Sequence, residues 1–334
     1  MAATIGRLVT ILEAKAGQFQ ATMNKSAKRL ESFKKTAQDV GTSLTVGVTA
    51  PLALAGGAAV KFATQLNEGM ANVATLIPGA TDRVKDLRSE VQKTAQVVGK
   101  DTQDIASGLF DVISAFGDSA DTAKILRINA VAARAGLATT ADAIRLTSAV
   151  TKAYGDTTAE AIQHVADLAF KTNELGQTTF PEMASAIGQV TGTANNMGVS
   201  METLFGVMAT GTGVTGTASQ VATQLRGALV ALDAPSADLA KLYNHLGVES
   251  GKAAIAQFGL QGAFQKIIQA ANATGAPLQS FIGSVEGQQL ALALAGSQAD
   301  VFRKKVAAMG NVQDSVAKAF MEQTQGINAF GSRS

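Results

Sequence analysis

Residues 136–142 read Gly136-Leu137-Ala138-Thr139-Thr140-Ala141-Asp142, one copy of an instruction that recurs from Gly99 to Leu232. A glycine is followed within four residues by Ser or Thr, and in most copies Asp or Glu comes next. Gly99 leads to Thr102 and Asp104, Gly117 to Ser119 and Asp121, Gly136 to Thr140 and Asp142, and Gly155 to Thr158 and Glu160. Gly176 leads to Thr179 and Glu182, Gly198 to Ser200 and Glu202, and Gly216 with Thr217 opens a seventh segment without the acid. Glycine can take the left-handed conformation that closes a helix, the hydroxyl accepts from the free amides of the next, and the carboxylate suits its positive N-terminal end. The stretch is therefore predicted to be short helices joined by tight turns.

The copies recur every 18 to 22 residues, which leaves each helix an ordinary length of about 12 to 16 residues. Between turns the apolar residues keep helical spacing: Ile105, Leu109, Val112, Ile113 and Phe116 on one face, Ile162, Val165, Ala166, Ala169 and Phe170 on another. Helices this short are marginal alone, so neighbours must pack as helical hairpins. The expected class is all-α, an amphipathic N-terminal helix followed by such an array. The intervals are too uneven and the copies too dissimilar to predict a strict solenoid.

Composition agrees with helices packed through small residues. Aromatics make up 5% of the 334 residues, Trp is absent, and the chain has 33 Gly against 5 Pro. The absence of cysteine removes disulfides, thiolate metal sites and a cysteine nucleophile. A net charge of +2 is too small for nucleic-acid binding across the whole surface.

The first 40 residues are read as one basic helix. A heptad places Val9, Ala16, Met23, Leu30 and Ala37 at one position and Leu12, Phe19, Ser26, Phe33 and Val40 at its partner. Leu12, Phe19, Met23, Leu30 and Phe33 are the candidate self-association seam; the alternative is a helix folded onto its own domain, because periods of 3.5 and 3.6 barely separate over this length. Arg7, Lys15, Lys25, Lys28, Arg29, Lys34 and Lys35 outnumber Glu13 and Glu31. They suit either a solvated helix face or contact with an acidic surface or a membrane. Residues 41–61 are a Gly/Ala/Thr-rich apolar segment, uncharged until Lys61. Leu44, Val46, Val48, Leu52, Leu54 and Val60 are its candidate membrane contacts, although its many Gly, Ser, Thr and Pro residues make insertion marginal. Residues 62–330 are expected to form the helical core region, and residues 331–334 an unstructured end.

No catalytic, metal or cofactor site emerges from the motifs. Gly211-Thr212-Gly213-Val214-Thr215-Gly216 fits the dinucleotide fingerprint, with Asp233 downstream, but the preceding segment opens with a helix cap where a strand is required. The run is read as a helix-to-helix turn. His164 and His245 are the only histidines, about eighty residues apart and without the further ligands a zinc site needs. Glu182 and Glu202 are accounted for as helix caps.

The order and spacing of several segments add a resemblance. They are Val98-Gly-Lys-Asp-Thr-Gln-Asp-Ile-Ala-Ser-Gly-Leu109, Ser114-Ala-Phe-Gly117, Phe180-Pro-Glu-Met-Ala184, Met197-Gly-Val-Ser-Met-Glu-Thr-Leu204, Gly211–Gly216, Gln224-Leu-Arg-Gly-Ala-Leu229 and Leu232-Asp-Ala-Pro-Ser236. With the basic arm and the run Gly41–Leu52, they make the chain resemble the amino-terminal arm and core region of phage tail tape measure proteins. That resemblance implies a non-enzymatic structural protein of a phage or prophage tail, assembled in the bacterial cytoplasm and housed in the tail tube lumen. It would template tail assembly and length, associate with copies of itself and with tail tube and assembly proteins, and aid genome passage through the host membrane on ejection. Family members are usually longer, with an extended helical section after the core. The rival reading is a membrane-active, pore-forming helical protein built on the basic arm and the uncharged run.

Overall fold

The computed structural model describes residues 65–331, with side chains to residue 324. The candidate seam from Leu12 to Phe33 and the candidate membrane contacts from Leu44 to Val60 lie outside these residues, as do residues 332–334. Among the described residues there are helices and turns and no strand. The helices are α1 (residues 65–76), α2 (Thr81–Val98), α3 (Thr102–Phe116), α4 (Thr122–Ala135), α5 (Thr140–Tyr154), α6 (Ala159–Leu175), α7 (Phe180–Ala186) and α8 (Thr191–Asn196). They continue as α9 (Met201–Gly211), α10 (Ala218–Asp233), α11 (Ala237–Leu246), α12 (Gly251–Thr274), α13 (Val285–Leu292), α14 (Ala299–Met309) and α15 (Ser315–Gly331).

The predicted stop-and-start signals work, with informative departures. Thr158, Ser200 and Thr217 accept from the amides of Ala161, Thr203 and Gln220 to open α6, α9 and α10. Thr179 forms a reciprocal box with Glu182, and Thr217 does so with Gln220, the residue that stands in for the missing acid. In two copies the cap falls one residue before the predicted hydroxyl. Asp101 caps α3 and Thr139 caps α5 in a box with Asp142, while Thr102 and Thr140 are the buried first residues of those helices. At α4, Asp121 makes no side-chain cap; Ser119 and Thr122 instead brace the preceding turn.

Most of the turn glycines have positive φ, but Gly136 and Gly176 do not. Packing is the reason at Gly136. It has φ −86°, and a Cβ there would lie 2.4 Å from the ring of Phe180. Gly136 is required for close approach, so the left-handed residue of this turn is Leu137, with φ 52°. Ala138 then donates to the Ala133 carbonyl to finish the α4 C-terminus.

The helices stack in two layers; from α2 to α7 each helix meets the one two along the chain, and beyond α7 the layer neighbours are three or more helices apart. One layer runs α2, α4, α6, α9, α14; the other runs α3, α5, α7, α10, α13. α12 packs on α10 and α13, and is broken at Gly259, which has φ 70° and ψ 167°. The predicted faces point inward: Ile105, Leu109, Val112, Ile162, Val165, Ala166 and Ala169 are fully buried, Ile113 is buried, and Phe116 and Phe170 are half-buried. Small residues let the layers close. A Cβ on Gly108 of α3 would lie 2.3 Å from the Thr140 methyl of α5.

Candidate functional site

The side chains that tie the layers together recur with the stacking. Arg83 forks onto Asp118 at 2.7 and 2.9 Å, 35 residues on, and also donates to the Ser119 carbonyl. Asp104 accepts from the N–H and hydroxyl of Thr140, 36 residues on. Lys100 lies 3.2 Å from Asp104 and donates to the Ala138 carbonyl at 2.7 Å. Lys124 pairs with Glu160, 36 residues on, and His164 Nε2 lies 3.0 Å from Glu202 Oε1, 38 residues on. Apart from the local Lys100–Asp104 pair, these contacts join residues 35 to 38 positions apart, a nearly constant spacing even though the glycines are unevenly spaced.

The rungs differ in environment. Asp118 is held below the usual carboxylate range by the Arg83 guanidinium, with Thr122 and the Ser119 backbone adding to the effect. The His164 bond holds Glu202 down to about 2, against the opposing effect of burial, while Glu202 raises His164 above its ordinary value. Asp167, 2% exposed and one turn beyond His164, is pushed up by burial although it accepts from the N–H groups of Val316 and Asp314.

A cleft of about 500 Å³ opens between Lys124 and Ile128 of α4, Glu160, His164 and Asp167 of α6, and the turn at Gly310–Asp314. Lys124 and His164, both lining it, are each paired to a carboxylate. Among the described residues no group of three or more His, Cys, Asp or Glu side chains is placed to hold a metal ion. Glu202, expected from the sequence to be a helix cap, has another role. Ser200 caps α9, and Glu202 is the partner of His164. His164 and Glu202 stand 38 residues apart, close to the 35 and 36 residues that separate the other pairs. His245 sits exposed on α11. The Gly211–Gly216 run follows a helix, and Gln224 fastens it through the Thr215 carbonyl, so it forms a helix-to-helix turn.

Residues 90–287, more than half of the chain, match the family model described as phage-related minor tail protein. The chain belongs to that family. No curated protein and no solved structure gives a match. The phage-related minor tail protein match begins inside α2 and ends inside α13, so it covers most of the two-layer array and every paired side chain named above except Arg83. The chain is accordingly a structural component of a phage tail, associated with other tail components. Among the described residues no helix is long and apolar enough to cross a membrane.

Proposed function

We propose that this chain is a tail tape measure protein, or its amino-terminal part, lying in the tail tube lumen and templating tube assembly and length. The observation that carries the reading is the tail-family match lying on a helical array whose first half, from α2 to α7, is stacked and cross-paired in chain order. Such a chain has a direction and a length that a growing tube can follow. Helical residues advance about 1.5 Å each, so 334 residues drawn out as helix would span about 500 Å.

In this reading the basic heptad arm at residues 1–40 joins copies of the chain along its Leu12, Phe19, Met23, Leu30 and Phe33 seam. The segment at residues 41–61 meets the host membrane on ejection. The test is crosslinking mass spectrometry on intact purified tails. Crosslinks from Lys100, Lys124 or Lys241 to inward-facing residues of tube subunits support the lumen position. Absence of the chain's peptides from tails, or crosslinks confined to the outer tube surface, overturns it. Permeabilisation of liposomes by the full chain without tail components would favour the pore-forming reading.

A further inference from the structure

The last described helix departs from the stacking order. α14 lies on α9, whereas α15 turns back across α4 and α6. Its attachment begins at one buried group: the Asp167 carboxylate on α6 accepts from Val316 N–H at 2.8 Å and Asp314 N–H at 3.2 Å. Val312 and Val316 are buried beside this group, and Gln323 Nε2 donates to the Ala135 carbonyl at 3.2 Å. The elbow between the helices is sharp. Asp314 has φ 61°, a left-handed conformation that costs any residue with a side chain, though Asp less than most. The 500 Å³ cleft runs along the elbow, so one side of the turn faces solvent-filled space and not packed side chains.

We propose that α15 is a latch that swings away from α4 and α6 as a unit about residues 310–314, leaving the two-layer array folded, with Asp167 holding it shut. Two hydrogen bonds to one buried carboxylate are a concentrated attachment, so their loss frees the start of the helix together with its first turn. Release also removes the left-handed residue. No proline lies between Ala299 and Gly331, so the freed segment can run on from α14 as one helix about 50 Å long. The inference does not depend on the tail-length reading.

The chain has no cysteine, so Leu137→Cys with Met321→Cys gives two exposed and unique sites for spin labels, one beside the α4 C-terminus and one on α15. Pulsed electron resonance on the full chain should give one short distance. Asp167→Ala should add a long-distance population and raise the open-to-closed ratio about tenfold or more, with helix content unchanged. Asp314→Gly, which suits the left-handed turn, should reduce that population in the Asp167→Ala background. A single short distance in Asp167→Ala, or a long one that appears only as α4 and α6 unfold, would overturn the proposal. Should Asp167→Ala fail to fold, hydrogen exchange on the parent chain decides. Exchange of α15 amides through an opening separate from α4 and α6 supports the latch, and exchange at their common rate overturns it.

Discussion

The Asp104 carboxylate, in the first turn of α3, accepts from the backbone N–H of Thr140 at 3.1 Å and from its hydroxyl at 2.6 Å, so one helix start satisfies the amide of another 36 residues on. Because Thr140 is fully buried, water cannot replace Asp104 without opening the layer. Asp104→Ala should cost about 1–3 kcal/mol of unfolding free energy in urea titrations. Asp104→Asn keeps an acceptor and should cost less. Equal losses for the two variants would assign the effect to the Lys100 charge and not to the cap.

Gly108→Ala puts a methyl where the Thr140 methyl lies 2.3 Å away. Alanine favours a helix by about 1 kcal/mol over glycine, but overpacking a buried contact costs about 1–3 kcal/mol. Thr140 is held by Asp104 and cannot turn aside cheaply, so the variant should lower the thermal midpoint. A higher midpoint would mean the layers can part at no cost.

Leu137 is 86% exposed and left-handed, so it contributes little packing and holds a disfavoured backbone. Leu137→Gly should stabilise the chain by roughly 0.5–1 kcal/mol, the relief of the left-handed conformation exceeding the added freedom of glycine in the unfolded chain. Calorimetry measures this directly; a loss of stability would show that the Leu137 side chain is held by something in solution.

The His164–Glu202 rung carries a pH signature of known sign. His164 is raised above 6.5, so its contribution is full below that value and fades as pH rises through its folded value. Glu202 is lowered to about 2 from 4.5, so its contribution is full above 4.5 and fades as pH falls towards 2. The rung should therefore be strongest between those limits, from 4.5 to 6.5. Titrating His164 by NMR should give a value above 6.5 that returns towards it in Glu202→Gln. An unchanged value would place the cause elsewhere.

The helix boundaries were legible because their determinants are local: Thr158, Thr179, Ser200 and Thr217 each act within three residues of themselves. Gly136 shows where local reading stops. Its sequence context matches the other turn glycines, yet Phe180, 44 residues away, decides its role. The rungs were hidden for the same reason, since Glu202 and Asp104 look like ordinary first-turn acids until the stacking of the layers brings His164 and Thr140 beside them. The attachment of α15 to Asp167 spans 149 residues and no periodicity signals it.

The most direct test of the central claim is tail length after removing one two-helix unit in frame. Deleting residues 122–157 removes 36 residues and joins Asp121 to the Thr158 cap. If the array lies extended in the tube as helix, tails measured by electron microscopy should shorten by about 54 Å. Tails of unchanged length would contradict the account and leave the array a folded tail component that sets no length.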